Sequence, residues 1–191
     1  MMLTLFPAAK QIKLAEKRER TMRAEIQAQT GRTHLRNSIT AGAGTLASLV
    51  CEVCLREFYD LEFSPDDEKH DYDLVHPLRF GKIDNKTKIR TVAPKPEYLG
   101  TVASYNTRQQ CDFYCFTSIL KDFSQMWIAG FMPKAAFGEQ AVFHKKGDID
   151  PSSDRGWRFK ADCWNMPYGD MWTPPAPDKI DERYLVSTNV T

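Results

Sequence analysis

The hydrophobic and polar positions of this chain change period along its length, and each change marks an element. Residues 8–29 are dominated by Ala, Lys, Glu, Arg and Gln, all good helix formers, with Ile12, Leu14, Ala15, Met22 and Ile26 as a thin apolar scatter among the charges. This predicts a peripheral helix with one narrow packing face, ending near Gly31. After the small-residue run Ala41-Gly42-Ala43-Gly44, residues 47–59 pass without a breaker, and Leu46, Leu49, Val50, Val53 and Phe58 fall on one helical face. The second helix is therefore expected in the core.

A polar break, Ser64-Pro65-Asp66-Asp67-Glu68-Lys69, follows, and the period then switches to two. In residues 71–75, Asp71, Asp73 and Val75 face one way and Tyr72 and Leu74 the other. In residues 82–89, Lys82, Asp84, Lys86 and Lys88 share a side opposite Ile83, Asn85, Thr87 and Ile89. Pro77 and Gly81 lie between the two runs as turn residues, so an antiparallel hairpin is the natural connection. Beyond the break Ala93-Pro94-Lys95-Pro96, the apolar runs 111–119 and 125–132 read as buried strands close enough to pair as a hairpin, and Pro133 suits the start of a short helix. From residue 145 the chain is aromatic, acidic and rich in breakers. We expect irregular structure there, packing Trp157, Phe159, Trp164 and Trp172 against the sheet, with a final strand at 158–163. Together these elements predict an α/β fold, a mixed central β-sheet flanked by helices.

Composition and charge change this picture little. At 191 residues one domain is the expectation, with residues 1–38 as a peripheral basic helical segment, 40–135 as the core and 145–191 as an irregular aromatic C-terminal segment. No apolar run reaches the roughly 20 residues of a membrane helix. The opening Met1-Met2-Leu3-Thr4-Leu5-Phe6-Pro7 is too brief for a signal peptide and has no basic n-region, so a cytoplasmic protein is expected. The net charge is only +1, yet eight Lys/Arg face three Glu between Lys10 and Arg36, and eight acids face four bases between Asp148 and Glu182. Such polarity suits a molecule with one end turned towards a polyanion, and equally an ordinary solvated helix.

Several chemistries find no support. Cys51 and Cys54 fall within a helix, and Cys111 and Cys115 in an apolar run where cysteine acts as a small hydrophobe, so neither pair has the setting of a zinc or cluster site. The four histidines have neither HxH nor HxxxH spacing, and no GxxxxGK[ST] phosphate loop exists. A Cys163 nucleophile with His144 as base would need a lowered thiol pKa, of which the sequence gives no sign. Tyr114, Phe116 and Trp127 read as core aromatics rather than base-stacking platforms.

One constellation does carry chemistry. Ten residues separate Asp73 from the tripeptide Asp84-Asn85-Lys86. On a strand, Asp84 and Lys86 lie on the same side with backbones about 6.6–6.8 Å apart. Two carboxylates can hold a hard cation such as Mg²⁺, with the backbone carbonyl of Asn85 as a further oxygen ligand. Lys86 would hold the attacking water or a phosphate oxygen. A divalent ion supplies what phosphodiester hydrolysis needs, a nucleophilic water and a stabiliser for developing charge. Asp71 competes with Asp73, because both face the same way and the register is open. Glu52, on the edge of the second helix's apolar face, reads from the residues alone as solvated or paired with Arg56 one turn on.

These residues resemble the PD-(D/E)xK, or restriction-endonuclease-like, nucleases over roughly residues 40–135. The resemblance rests on a helix carrying Glu52, a strand ending in Asp73, Ile83-Asp84-Asn85-Lys86-Thr87-Lys88 as the D-x-K strand, and Gln109-Gln110-Cys111-Asp112-Phe113-Tyr114 as the approach to the next core strand. No proline precedes Asp73, where the motif's name places one. The resemblance implies a restriction-endonuclease-like core with Asp73, Asp84 and Lys86 as the catalytic centre. It adds Glu52 as a metal or water ligand, Gln110 as a glutamine near the site, and Mg²⁺ or Mn²⁺ as cofactor. The expected substrate is DNA, with RNA left open, in a bacterial or phage-encoded protein whose oligomeric state stays open, a dimer included. Lys88, Arg90 and the basic N-terminal residues are expected to contact phosphates independently of sequence. The rival expectation is a protein of the same fold that binds nucleic acid or a partner without catalysis.

Overall fold

The computed structural model describes residues 1–31, 43–65, 71–76, 78–153, 156–179 and 182–184. The order is β1 (Leu3–Leu5), α1 (Ala9–Thr30), α2 (Ala43–Tyr59), β2 (Glu62–Phe63), β3 (Leu74–His76), β4 (Gly81–Arg90), β5 (Leu99–Ala103), β6 (Phe113–Leu120), β7 (Met126–Pro133), α3 (Lys134–Gln140), β8 (Val142–His144) and β9 (Cys163–Pro167), with three single turns of 3-10 helix. Most of the polar break at 64–69, His70 and Pro77 lie outside the described residues.

Helix α1 is closed at its C-terminal end by Gly31, whose left-handed backbone (φ 67°) lets its N–H reach the Gln27 carbonyl. At the other end the Gln11 side chain accepts from the Ala8 N–H at 2.7 Å. As its thin stripe predicts, α1 is peripheral: Ala15 is buried, while Ile12, Leu14 and Met22 only lean on the core. Gln11 also donates to Glu57 of α2 at 2.7 Å, docking the two helices. Helix α2 is more deeply set than one apolar face requires, with Ala47, Leu49, Val50, Cys51, Val53, Cys54, Leu55 and Tyr59 all buried.

The main sheet has six strands in the order β1-β7-β6-β4-β3-β2. Strands β4 and β6 run parallel from Ile83↔Phe113 to Arg90↔Leu120, and every other pairing is antiparallel, including the expected β3–β4 and β6–β7 hairpins. One face, with Ile83, Cys115, Ile119 and Ile128, packs on α1 and α2. The other, with Tyr114, Phe116, Ala129 and Met132, packs on Phe137 of α3 and on Val102 and Met166 of a second sheet, ordered β5-β9-β8. The mixed α/β sheet is as expected, but one of its two covers is largely another sheet rather than helices.

Several expectations need correction. Strand β3 begins at Leu74, so Asp71 lies in a turn and Asp73 just outside the strand. The strand expected at 158–163 lies at Cys163–Pro167, and Arg158 makes only an isolated bridge with Ile149. Trp157 is 45% exposed and meets the edge of Phe159 rather than the sheet. Strands β1, β2, β5 and β8 were not expected from the sequence. All five cysteines are buried and form no disulfide, and among the described residues no helix is long and apolar enough to cross a membrane.

The two sheets approach closely where side chains are missing. A Cβ on Gly100 would collide with Met171 and Phe116, and one on Gly130 would stand 2.6 Å from the Cβ of Met171. Because that last contact is with the first side-chain carbon, repacking Met171 cannot relieve it. Gly130→Ala is therefore expected to cost about 1–3 kcal/mol, read as a lowered urea midpoint, and Met171→Ala should not rescue it.

Candidate active site

Strand β4 is paired with β6 along its length from Ile83 but with β3 only over Gly81–Ile83, so from Asp84 onward its other edge pairs with no strand among the described residues. Asp73 sits where β3 leaves. Its N–H donates to the Ile83 carbonyl at 2.9 Å, and its Oδ2 accepts from the Asn85 N–H at 2.7 Å. The carboxylate thus stands in for the carbonyl that a longer β3 would have offered. Since the N–H and C=O of a strand residue project to the same edge, the Asn85 carbonyl is turned to Asp73's side.

The Asn85 side chain is engaged elsewhere. It donates to Thr87 and accepts from Thr117, both at 2.9 Å, and the two threonine hydroxyls lie 2.8 Å apart. This polar triangle fastens β4 to β6 behind the site and leaves the backbone carbonyl as Asn85's contribution to it.

Asp84 and Lys86 share the opposite side, as alternation predicts. Lys86 Nζ contacts Asp84 Oδ2 at 2.5 Å and donates to Gln109 Oε1 at 2.8 Å, and Gln109 Nε2 donates back to Asp84 Oδ1 at 3.2 Å. The three side chains close a ring. Lys134 holds it from outside by donating to the Gln109 carbonyl. The buried Oδ2 of Asp84 has only its ion contact with Lys86 and no aligned hydrogen bond.

Glu52 enters from α2, only 6% exposed, and accepts from the Ser48 hydroxyl at 3.0 Å. Burial raises its pKa and the charge of Asp84 adds to this, against the Ser48 hydrogen bond and the cations Arg18 and Lys86. Asp73, half-buried, is held well above the usual carboxylate range by burial and then by Glu52 and Asp84, with Lys86 and the Asn85 N–H opposing. The three carboxylates therefore lie within each other's fields, with Lys86 among them. Glu52 makes no ion pair with Arg56, so the solvated or paired reading of this residue does not hold.

No family model matches the chain, and no curated protein is significantly similar to it. The site rests on its own geometry.

Among the described residues no three His, Cys, Asp or Glu side chains stand ready-made as a metal-ligand set. The donor chemistry nonetheless fits a hard divalent ion: carboxylate oxygens with too few cations, a carboxylate oxygen lacking a hydrogen bond, and a backbone carbonyl on the same edge. Asp73, Asp84, Glu52 and the Asn85 carbonyl are the residues that could hold it.

Other expected residues are placed differently. Asp71, in the turn before β3, takes no part in these contacts. Gln110 is exposed and donates to the Arg108 carbonyl at 3.0 Å, so the glutamine at the site is Gln109. Lys88 and Arg90 follow Lys86 on the same side of β4 but lie half-buried against the second sheet. Burial and the neighbouring Arg90 bring Lys88 down to about 8, with Asp150 and Cys163 opposing. Arg90 lies 4.6 Å over the Tyr98 ring and donates to the Tyr168 hydroxyl at 3.5 Å. Both lie within the packing of the two sheets, where the buried Nε of Arg90 has no hydrogen-bond partner among the described residues. Cys163 shares Asn165 with His144, but burial raises its thiol pKa, the wrong direction for a nucleophile. Arg18 was expected only as one of the basic N-terminal residues and not singled out as a neighbour of Glu52. Its signal was position: it lies three residues after Ala15 and four before Met22, on α1's only apolar stripe.

The raised pKa of Asp73 has a definite sign. The folded state binds its proton more tightly than the unfolded chain, so ionised Asp73 destabilises the fold above the unfolded carboxyl range and not below it. Asp73→Asn, which keeps an acceptor for Asn85, should raise the metal-free melting temperature at pH 7. The gain expected is on the order of 1 kcal/mol, or roughly 2–4 °C, shrinking as the pH falls towards the unfolded carboxyl value of about 4 and absent below it. Thermal unfolding across pH measures it.

Proposed function

We propose that this protein is a Mg²⁺- or Mn²⁺-dependent nuclease built on a restriction-endonuclease-like core and acting on DNA. The observation that carries this reading is that Glu52, Asp73, Asp84 and Lys86 feel one another's charges beside the edge of β4 that β3 leaves, with Lys86 in direct contact with Asp84, and that they come from a helix, a strand end and one strand face. A divalent cation, when bound, supplies charge neutralisation at the phosphate and acidifies water. Asp73 and Asp84, with the Asn85 carbonyl and Glu52, bind it. Lys86 orients the attacking water or a phosphate oxygen, a task for a compact ammonium whose position is fixed. Gln109 fixes it, holding Lys86 and Asp84 in one hydrogen-bonded unit.

The same arrangement supports this reading over a binding protein of the same fold. Lys86 buried against a carboxylate is a poor surface contact for DNA but well placed for a reacting phosphate. Incubation with plasmid and linear DNA should show cleavage that requires Mg²⁺ or Mn²⁺. Asp84→Ala and Lys86→Ala should lower the rate roughly 100- to 1,000-fold, and Gln109→Ala roughly 10- to 100-fold as a supporting residue. DNA binding by the wild type without cleavage under either metal would favour the non-catalytic rival.

A further inference from the structure

Arg18 comes from α1, outside the catalytic core the sequence suggests, yet its charge reaches Glu52. Its guanidinium carbon lies 3.5 Å from the centroid of the Phe63 ring in β2, and the guanidinium of Arg56 lies over the same ring at 5.3 Å. Arg56 stands one turn after Glu52 on α2. Among the described residues neither arginine has a carboxylate within ion-pair distance. The Nε of Arg18 is buried and donates to nothing.

The stacking on Phe63 is favourable, but two of these facts are not. A buried charged donor without an acceptor is costly, and two like charges at one aromatic ring repel. Both costs vanish if an anion with several acceptor oxygens comes between them. Planar guanidinium forks match phosphate oxygens, and a fork already stacked on a ring loses little freedom on binding. Arg18, Arg56 and Phe63 are each only half-buried, which leaves such an anion a way in.

We propose that Arg18 and Arg56, pinned on Phe63, form a phosphate-binding site that takes a nucleic-acid backbone phosphate beside the one being cut. The identity of the ligand rests on the nuclease reading. The substrate would then be gripped from the α1 side of the molecule, not by Lys88 and Arg90.

The test is fluorescence anisotropy with a short DNA duplex in EDTA across a salt series, alongside cleavage assays in Mg²⁺. Glutamine substitutions keep much of each side chain's apolar stem, and thermal unfolding checks that they fold. Arg18→Gln and Arg56→Gln should each weaken binding about tenfold and reduce the slope of log affinity against log salt by about 1. They should raise KM more than they lower kcat, and Arg18→Lys should recover part of the loss. Unchanged salt slope and KM, with only a lowered melting temperature, would make the pair structural and overturn the site while cleavage that depends on Asp84 still stood. An arginine-dependent slope in a protein that cleaves nothing would uphold the site and remove the nuclease reading. No duplex binding by the wild type overturns the site. Duplexes with and without a 5′-phosphate separate the sources: an equal loss on both supports a backbone phosphate, and a loss confined to phosphorylated ends overturns that assignment in favour of a terminal one.

Discussion

Three carboxylates withdrawn from water in one place are the constraint on which the rest of this structure depends. Carboxylates kept close in a poorly solvated site repel, and the chain raises the pKa of Asp73 and Glu52 rather than separating them. Such a cluster persists only if its supports cannot move apart. Asp84 is held by eight residue pairs of parallel ladder between β4 and β6 and by the Asn85–Thr87–Thr117 triangle behind it. Glu52 sits on a helix buried on nearly every side, so it cannot turn to solvent without drawing out Cys51 and Val53. Asp73 is tied by its own N–H and by its carboxylate to neighbouring rungs of the same strand.

The two covers of the main sheet divide the labour. On the side of Lys88 and Arg90 the second sheet and Met171 just beyond it are drawn down close enough to require glycine at 100 and 130, and the cations of that side become part of the packing. On the other side α1 is attached through a narrow stripe and a few polar contacts such as Gln11 to Glu57. The site lies at the strand edge between the two covers.

What the sequence shows and hides follows from the range of the forces involved. Asp84 and Lys86 were legible because strand alternation needs only two residues to put them on one side. The choice of Asp73 over Asp71 was not, since it depends on register: Leu74 pairs with Ile83, so the next rung sets Asp73 beside Asp84. Gln109 and Gln110 precede β6 in a loop, where no period says which of two neighbours turns inward. Alternation gave the side on which Lys88 and Arg90 project but not what covers it, because β5 and β9 owe their strand character to pairing with each other across more than 60 residues. Gly100 in β5, the best reason to doubt a strand there, is the residue that lets the sheets meet.

A chain shaped for stability alone would do better with apolar side chains where Asp73 and Glu52 stand, since buried ionic groups are often improved upon by hydrophobic ones. The repulsion that penalises them in the metal-free protein is the same energy that a divalent cation would recover, so destabilisation and affinity are one quantity with opposite signs. Protons draw on it too. The oxygens whose pKa values are raised bind a proton or a cation but not both, so cation binding must release protons and weaken as the pH falls through those values. Lys86 takes a share of the same negative charge through Asp84 and lessens the repulsion without removing it. A lysine in that place tempers the cluster's charge in the metal-free protein, and under the proposed function it would remain beside the phosphate when a cation took over its partner's charge.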